Sequence, residues 1–229
     1  MSALVRVKVC GLMRPQDAAV AAAAGAHYLG TVLTPGYRRS VDDARAADVF
    51  AGAEAGRRVG VFVDADADHV LRLAAALELD VVQLHGSETV ATAVDLAAHG
   101  LEVWKAVTPR AAGDVRGAVE RWSEAAQGIL LDGFSARAPG GTGARFDWAA
   151  AAGEWPPGGA GALLIAAGGL APANVGQAIR TLRPDVVDVS SGVELAVGRK
   201  DPVLVERFIA AAAAASGARA APASDGGSR

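Results

Sequence analysis

At 229 residues, the chain is long enough for one (β/α)8 barrel of slightly under the usual size or for two small domains, so length alone leaves the domain count open. A formal net charge of -3, with no concentrated basic stripe, excludes nucleic acid and anionic membrane as partners, and any anionic ligand must be held locally. Cys10 is the one cysteine, which excludes an intrachain disulfide and a cysteine-based zinc cluster.

Hydrophobic residues make up 52% of the chain, but the alanine runs at 21–24 and 210–215 favour helix while adding little packing volume. The core must therefore come from the Val and Leu clusters. The opening MSALVRVKVCGL lacks the apolar region and cleavage site of a secretory signal, and no later run approaches the roughly 20 apolar residues of a membrane span. A soluble, unprocessed protein of the reducing cytoplasm is expected.

In chain order, β-branched runs predict strands at 5–9, 28–33, 58–63, 81–84, 103–107, 129–132, 163–166 and 186–190. Each is followed by an Ala/Leu-rich stretch that reads as a helix, and the alternation means parallel βα units. Near-continuous apolar character suits strands covered on both faces, so a closed eight-stranded barrel is favoured over an open sheet. Pro15 marks one helix start, Ser87 with Glu88 a second, and Pro172 with Asn174 a third. The helix after the sixth strand should be short, because 133–145 is Gly-rich and Trp155-Pro156-Pro157-Gly158-Gly159 breaks the pattern again. No linker divides the chain: a single barrel domain over 1–215 and a disordered tail over 216–229 are predicted.

A barrel of this type builds its active site from the loops at the carboxyl ends of its strands. Those ends carry Cys10-Gly11, Arg38-Arg39, Asp64, Gln83-Leu84-His85-Gly86, Asp132, Gly168-Gly169 and Ser190-Ser191-Gly192. The glycine-bearing segments Gly140-Gly141-Thr142-Gly143, Gly168-Gly169-Leu170 and Ser190-Ser191-Gly192 follow strands six, seven and eight. Backbone N–H groups at such turns make phosphate sites. One such loop is most often an ordinary tight turn, but three neighbouring ones point to a phosphorylated small molecule.

Cys10 in isolation reads as a small buried hydrophobe, and Asp132 as a loop carboxylate or helix cap. Placed across one barrel mouth, they would serve as base and acid on one substrate. A thiol of pKa about 8.5 needs nearby positive charge or backbone dipoles to act as a base at neutral pH. His85 reads as a hydrogen-bonded contact residue rather than a shuttle or metal ligand, and Lys105 as a packing or ion-pair residue rather than a Schiff-base amine. Asp188 is either a carboxylate near the site or a paired structural charge. Asp64, Asp66 and Asp68 lack the glycine and terminal glutamate of a calcium loop and read as a solvated helix start, so no metal is expected.

The blocks VKVCGL at 7–12, VGVFVD at 59–64, VVQLHGSE at 81–88, LLDGF at 130–134, GGTGARFDW at 140–148, AAGGLAPANV at 166–175 and VDVSSGVELAVGRKD at 187–201 together resemble the phosphoribosylanthranilate isomerase family from about Val5 to Phe208. The resemblance implies a (β/α)8 (TIM) barrel of tryptophan biosynthesis that performs an Amadori rearrangement of N-(5-phosphoribosyl)anthranilate without metal or organic cofactor. It further implies Asp132 as the acid that opens the furanose and Cys10 as the base that removes the C2 proton. Arg39, with its neighbour Arg38 as the alternative, would contact the anthranilate carboxylate, with Gln83, His85 and Asp188 also at the substrate. Gly141, Thr142, Gly143, Gly168, Gly169, Ser190, Ser191 and Gly192 would hold the phosphate. The chain departs from the family pattern in the second βα loop, where Thr31–Ser40 replaces an aromatic strand end and a Ser-Pro-Arg-like segment.

Two other readings compete. A histidine-pathway isomerase, or a dual-substrate one, would carry aspartates at the ends of strands one and five, where this chain has Cys10 and Val107-Thr108. A non-catalytic phosphometabolite-binding barrel would not need both Cys10 and Asp132. A monomer or a homodimer fits the sequence equally well.

Overall fold

The computed structural model describes residues 4–133, 147–156 and 159–220. Eight parallel strands close into a barrel in chain order: β1 (Arg6–Val9), β2 (Tyr28–Val32), β3 (Arg57–Phe62), β4 (Val81–Leu84), β5 (Glu102–Val107), β6 (Gly128–Asp132), β7 (Leu163–Ala167) and β8 (Val186–Val189). All eight predicted strands are present. Eight helices surround them: α1 (Pro15–Ala23), α2 (Asp43–Ala51), α3 (Ala67–Leu77), α4 (Val90–Ala98), α5 (Asp114–Trp122), α6 (Trp148–Glu154), α7 (Val175–Leu182) and α8 (Pro202–Ala220).

Alternation along each strand divides the apolar residues into two cores. Val7, Val9, Leu29, Val82 and Leu131 face outward against the helices, whereas Tyr28, Val59, Val81, Trp104, Leu130, Ile165 and Val186 fill the barrel. Trp104 and Tyr28 meet edge to face, with centroids 4.8 Å apart, and a Cβ on Gly128 would stand 2.7 Å from the Trp104 ring. The interior is therefore plugged at its lower level. Lys8 and Asp188, paired across the β1–β8 register, lie in the same interior, with Asp188 reaching the cavity at the mouth.

Helix starts depart from the sequence reading in informative ways. Thr89, not Ser87, caps α4 through the Thr92 amide, and Glu88 turns inward. Its carboxylate accepts from the Asp64 and Gly86 amides and pairs with Lys105 at 2.7 Å, tying two loops together. Lys105 is thus an ion-pair residue in the sheet–helix layer. Among the acidic trio, Asp66 caps α3 through the His69 amide, while Asp64, at φ 51°, accepts from the Ser87 amide.

Two elements correct the sequence reading. After β8 the chain forms a short antiparallel hairpin, β9 (Glu194–Ala196) with β10 (Arg199–Lys200), before α8. The predicted tail boundary is also too early, because α8 continues to Ala220. Ser216 is buried, its hydroxyl donating to the Ala212 carbonyl and accepting from the Val5 amide. An i−4 back-bond lets serine continue an alanine helix, so its polarity does not end one. No helix among the described residues is long and apolar enough to cross a membrane.

Candidate active site

At the carboxyl ends of the strands lies a cavity of about 500 Å³. Its wall brings together Cys10, Arg39, Gln83, His85, Asp132, Gly168, Gly169, Asp188, Ser190 and Ser191, all expected from the sequence. Gly192 is not on the wall. Its α-carbon packs so close to the Leu170 carbonyl that any Cβ would overlap it, so a glycine here is what lets the β7 and β8 loops meet. Gly141, Thr142 and Gly143 lie outside the described residues.

Cys10 follows the last residue of β1, and its amide donates to the Val189 carbonyl, so the barrel ladder fixes the base of its side chain. Gly11 comes next at φ 69°, a conformation open to glycine, and a Cβ there would collide with the Arg39 Cδ. The Cys-Gly pair therefore lets Arg39 lie over the strand end. Burial pushes the Cys10 thiol above its ordinary pKa; the Lys8 and Lys200 charges oppose this, and Asp188 adds to it. The positive charges expected from the sequence are present, but desolvation outweighs them and the resting group is a thiol.

Across the cavity, Asp132 ends β6. His85 Nε2 stands 3.3 Å from its Oδ2, and the Gln83 amide nitrogen stands 2.9 Å from His85 Nδ1. The Gln83 amide and His85 Nδ1 are hydrogen-bond partners, which holds the ring with Nε2 towards the carboxylate. Gln83 and His85 reach one face of β4 by the two-residue repeat of a strand. Asp188, at the end of β8, accepts from Lys8 Nζ with Oδ2 at 2.9 Å, and its buried Oδ1 has no hydrogen-bond partner among the described residues.

Arg39 is already engaged. Its Nε and Nη2 donate to Glu194 Oε1 and Oε2 at 2.8 and 2.6 Å, and Lys200 Nζ reaches the same carboxylate at 2.9 Å. Burial alone would raise the Glu194 pKa, but the bonds from Arg39 and Lys200 prevail and hold it at about 2. Arg38 is exposed on the same cavity rim and makes no hydrogen bond or ion pair with the described residues. Glu194, Lys200 and Lys8 are the participants that the sequence reading missed. Lys8 had a usable signal, since it stands two residues before Cys10 on the same strand face; the hairpin pair had none.

Gly168 and Gly169 take φ 80° and 67°, and Asn174 braces the turn by accepting from the Ala171 amide and donating to the Gly169 carbonyl. Successive left-handed residues turn backbone N–H groups into a concavity suited to an anion.

Comparison with known proteins agrees with this geometry. Residues 7–211 match the model of the N-(5'-phosphoribosyl)anthranilate (PRA) isomerase family. An N-(5'-phosphoribosyl)anthranilate isomerase of Chromohalobacter salexigens is 44% identical over 206 residues, covering 89% of this chain and 92% of that one. The crystal structure of phosphoribosyl anthranilate isomerase from Thermotoga maritima superposes with a TM-score of 0.82 at 34% identity, covering 91% and 98% of the two chains. A phosphoribosyl anthranilate isomerase in complex with reduced 1-(o-carboxyphenylamino)-1-deoxyribulose 5-phosphate superposes with a TM-score of 0.79 at 33% identity over the same shares. With the barrel, the cavity and nine-tenths of the chain in agreement, the protein belongs to the N-(5'-phosphoribosyl)anthranilate isomerase family.

Proposed function

We infer that the protein, as a phosphoribosylanthranilate isomerase of tryptophan biosynthesis, converts N-(5-phosphoribosyl)anthranilate to 1-(2-carboxyphenylamino)-1-deoxyribulose 5-phosphate, with Asp132 as general acid and Cys10 as general base. The observation that carries this reading is that Cys10 and Asp132 share the wall of one cavity with the Gly168-Gly169 and Ser190-Ser191 turns. The acid protonates the furanose oxygen as the C1–O bond breaks, and the anthranilate nitrogen's electron pair forms the iminium. Cys10 then takes the C2 proton; the C2–H pair becomes the C1=C2 bond and the iminium pair returns to nitrogen. Tautomerisation of the resulting enol gives the ketone. No atoms are gained or lost.

His85, with Nε2 facing Asp132, is a contact residue that orients the carboxyl towards the substrate. Gly168, Gly169, Ser190 and Ser191, together with Gly141–Gly143, hold the phosphate. The anthranilate carboxylate is met by the free edge of Arg39, with Arg38 beside it on the rim. The enzyme works in the cytoplasm without a cofactor, as a monomer or a homodimer. Incubation with freshly generated substrate tests the reaction: a product of unchanged mass bearing a ketone, formed well above the spontaneous rate, is expected. No acceleration would favour a phosphometabolite-binding barrel.

A further inference from the structure

Lys8 is the largest charged side chain buried in the barrel, fully enclosed at 0% exposure. The Lys8–Asp188 pair is weak as a device for stability, because desolving two charges offsets most of their attraction. Its position suggests a different use. A Cβ on Gly30 of β2 would stand 3.2 Å from Lys8 Nζ and 3.1 Å from Cys10 Sγ, so the ammonium and the sulfur flank the same bare point of the neighbouring strand. Gly30 is what leaves the space in which they approach.

Four charged groups face Cys10: Lys8 from β1, Asp188 from β8, Lys200 from β10 and Arg39 from the loop after β2. Lys200 and Arg39 are both held by Glu194, and Lys200 Nζ also donates to the Ser190 carbonyl. Lys8 is held by Asp188 through a 2.9 Å bond and is also within hydrogen-bonding reach of the Cys10 sulfur, using ammonium protons that Asp188 leaves available. Its charge is kept by its surroundings: burial favours the neutral amine, but Asp188 and Cys10 outweigh burial.

We propose that Lys8 is a positioning residue for the reaction: clamped by Asp188, its ammonium donates a hydrogen bond to Cys10 Sγ once the sulfur is deprotonated and aims it into the cavity. Lys8 stays protonated throughout, so the C2 proton travels to sulfur and not to the amine. Gly30 is the second part of the device. The proposal rests on Cys10 being the base, and the experiment separates the two claims.

Because the chain has one cysteine, the rate of iodoacetamide alkylation against pH reads Cys10 alone. Lys8→Met is expected to move the midpoint of that profile up by about 1 pH unit or more. It should also lower kcat at least about 10-fold with KM changed less than about 3-fold. Lys8→Arg, which keeps a charge, should move the midpoint less than Lys8→Met. Gly30→Ala keeps every charge but inserts a methyl between the two groups, and should shift the midpoint in the same direction; it decides the matter if Lys8→Met does not fold. A wild-type alkylation profile in Gly30→Ala and in folded Lys8→Met, with Cys10→Ala inactive, overturns the role of Lys8 while leaving Cys10 as base. An active Cys10→Ala overturns the assignment of the base itself.

Discussion

At the scale of single residues, the site opposes a buried thiol to a carboxyl that is held by an imidazole. Burial holds the Cys10 thiol high, and only its deprotonated form can take a proton. The limb of the kcat/KM profile due to Cys10 should therefore rise with pH and level off above the ordinary thiol value of about 8.5. A limb complete below pH 7 would mean that a different group is the base. On the acid side, Asp132→Asn keeps size and polarity but removes the exchangeable proton, so ring opening should fail, with a loss of about 10²-fold or more in kcat. Asp188 is the rival acid, but one of its oxygens is occupied by Lys8. If Asp132→Asn stays active while Asp188→Asn is dead, the two roles must be exchanged.

At the scale of elements, the hairpin of β9 and β10 supports the substrate rim. Glu194 holds Arg39 over Gly11 and neutralises Lys200, which is 1% exposed. Glu194→Gln leaves that lysine buried without its carboxylate, and a cost of about 3 kcal/mol in urea unfolding is expected, against under about 1 kcal/mol for a surface pair. The pH dependence has a definite sign. Glu194 titrates at about 2 in the folded chain, below the unfolded value of about 4.3, so its contribution is complete above the unfolded value and is lost as pH falls through about 2. This element was not legible in the sequence, since strands of two and three residues leave no alternation to read. The eight barrel strands were legible because each is a β-branched run followed by a helix. The fate of Glu88 was not, because a glutamate after a serine looks like a helix start until the buried Lys105 is known. Cys10 and Asp132 stood out by their place at strand ends and Asp188 as a carboxylate within the last apolar run, whereas the engagement of Arg39 was hidden because Glu194 is 155 residues away.

At the scale of the whole molecule, closure of the barrel brings the ends of β1, β6, β7 and β8 around one cavity and so sets which substrates fit. The wall towards β2, β3 and β4 presents Val32, Val61, Val63 and Gln83, with the Arg38-Arg39 pair and His85 on the adjoining loops, in place of a second glycine-rich anion pocket. With the arginine pair assigned to the anthranilate carboxylate and the remaining wall apolar, this side offers no second set of backbone donors for a phosphate dianion. Turnover of the two-phosphate histidine-pathway substrate should fall at least about 10³-fold below that of phosphoribosylanthranilate in kcat/KM, about 4 kcal/mol of discrimination. Comparable efficiencies on the two substrates would point to a dual-substrate isomerase. The central claim, a rearrangement driven by one thiol and one carboxyl across this cavity, is tested most directly by the decay of substrate fluorescence with wild type, Cys10→Ala and Asp132→Asn under identical conditions. The account predicts rapid decay with wild type and a loss of at least about 10²-fold in each variant, whereas decay at the wild-type rate in either variant would contradict it.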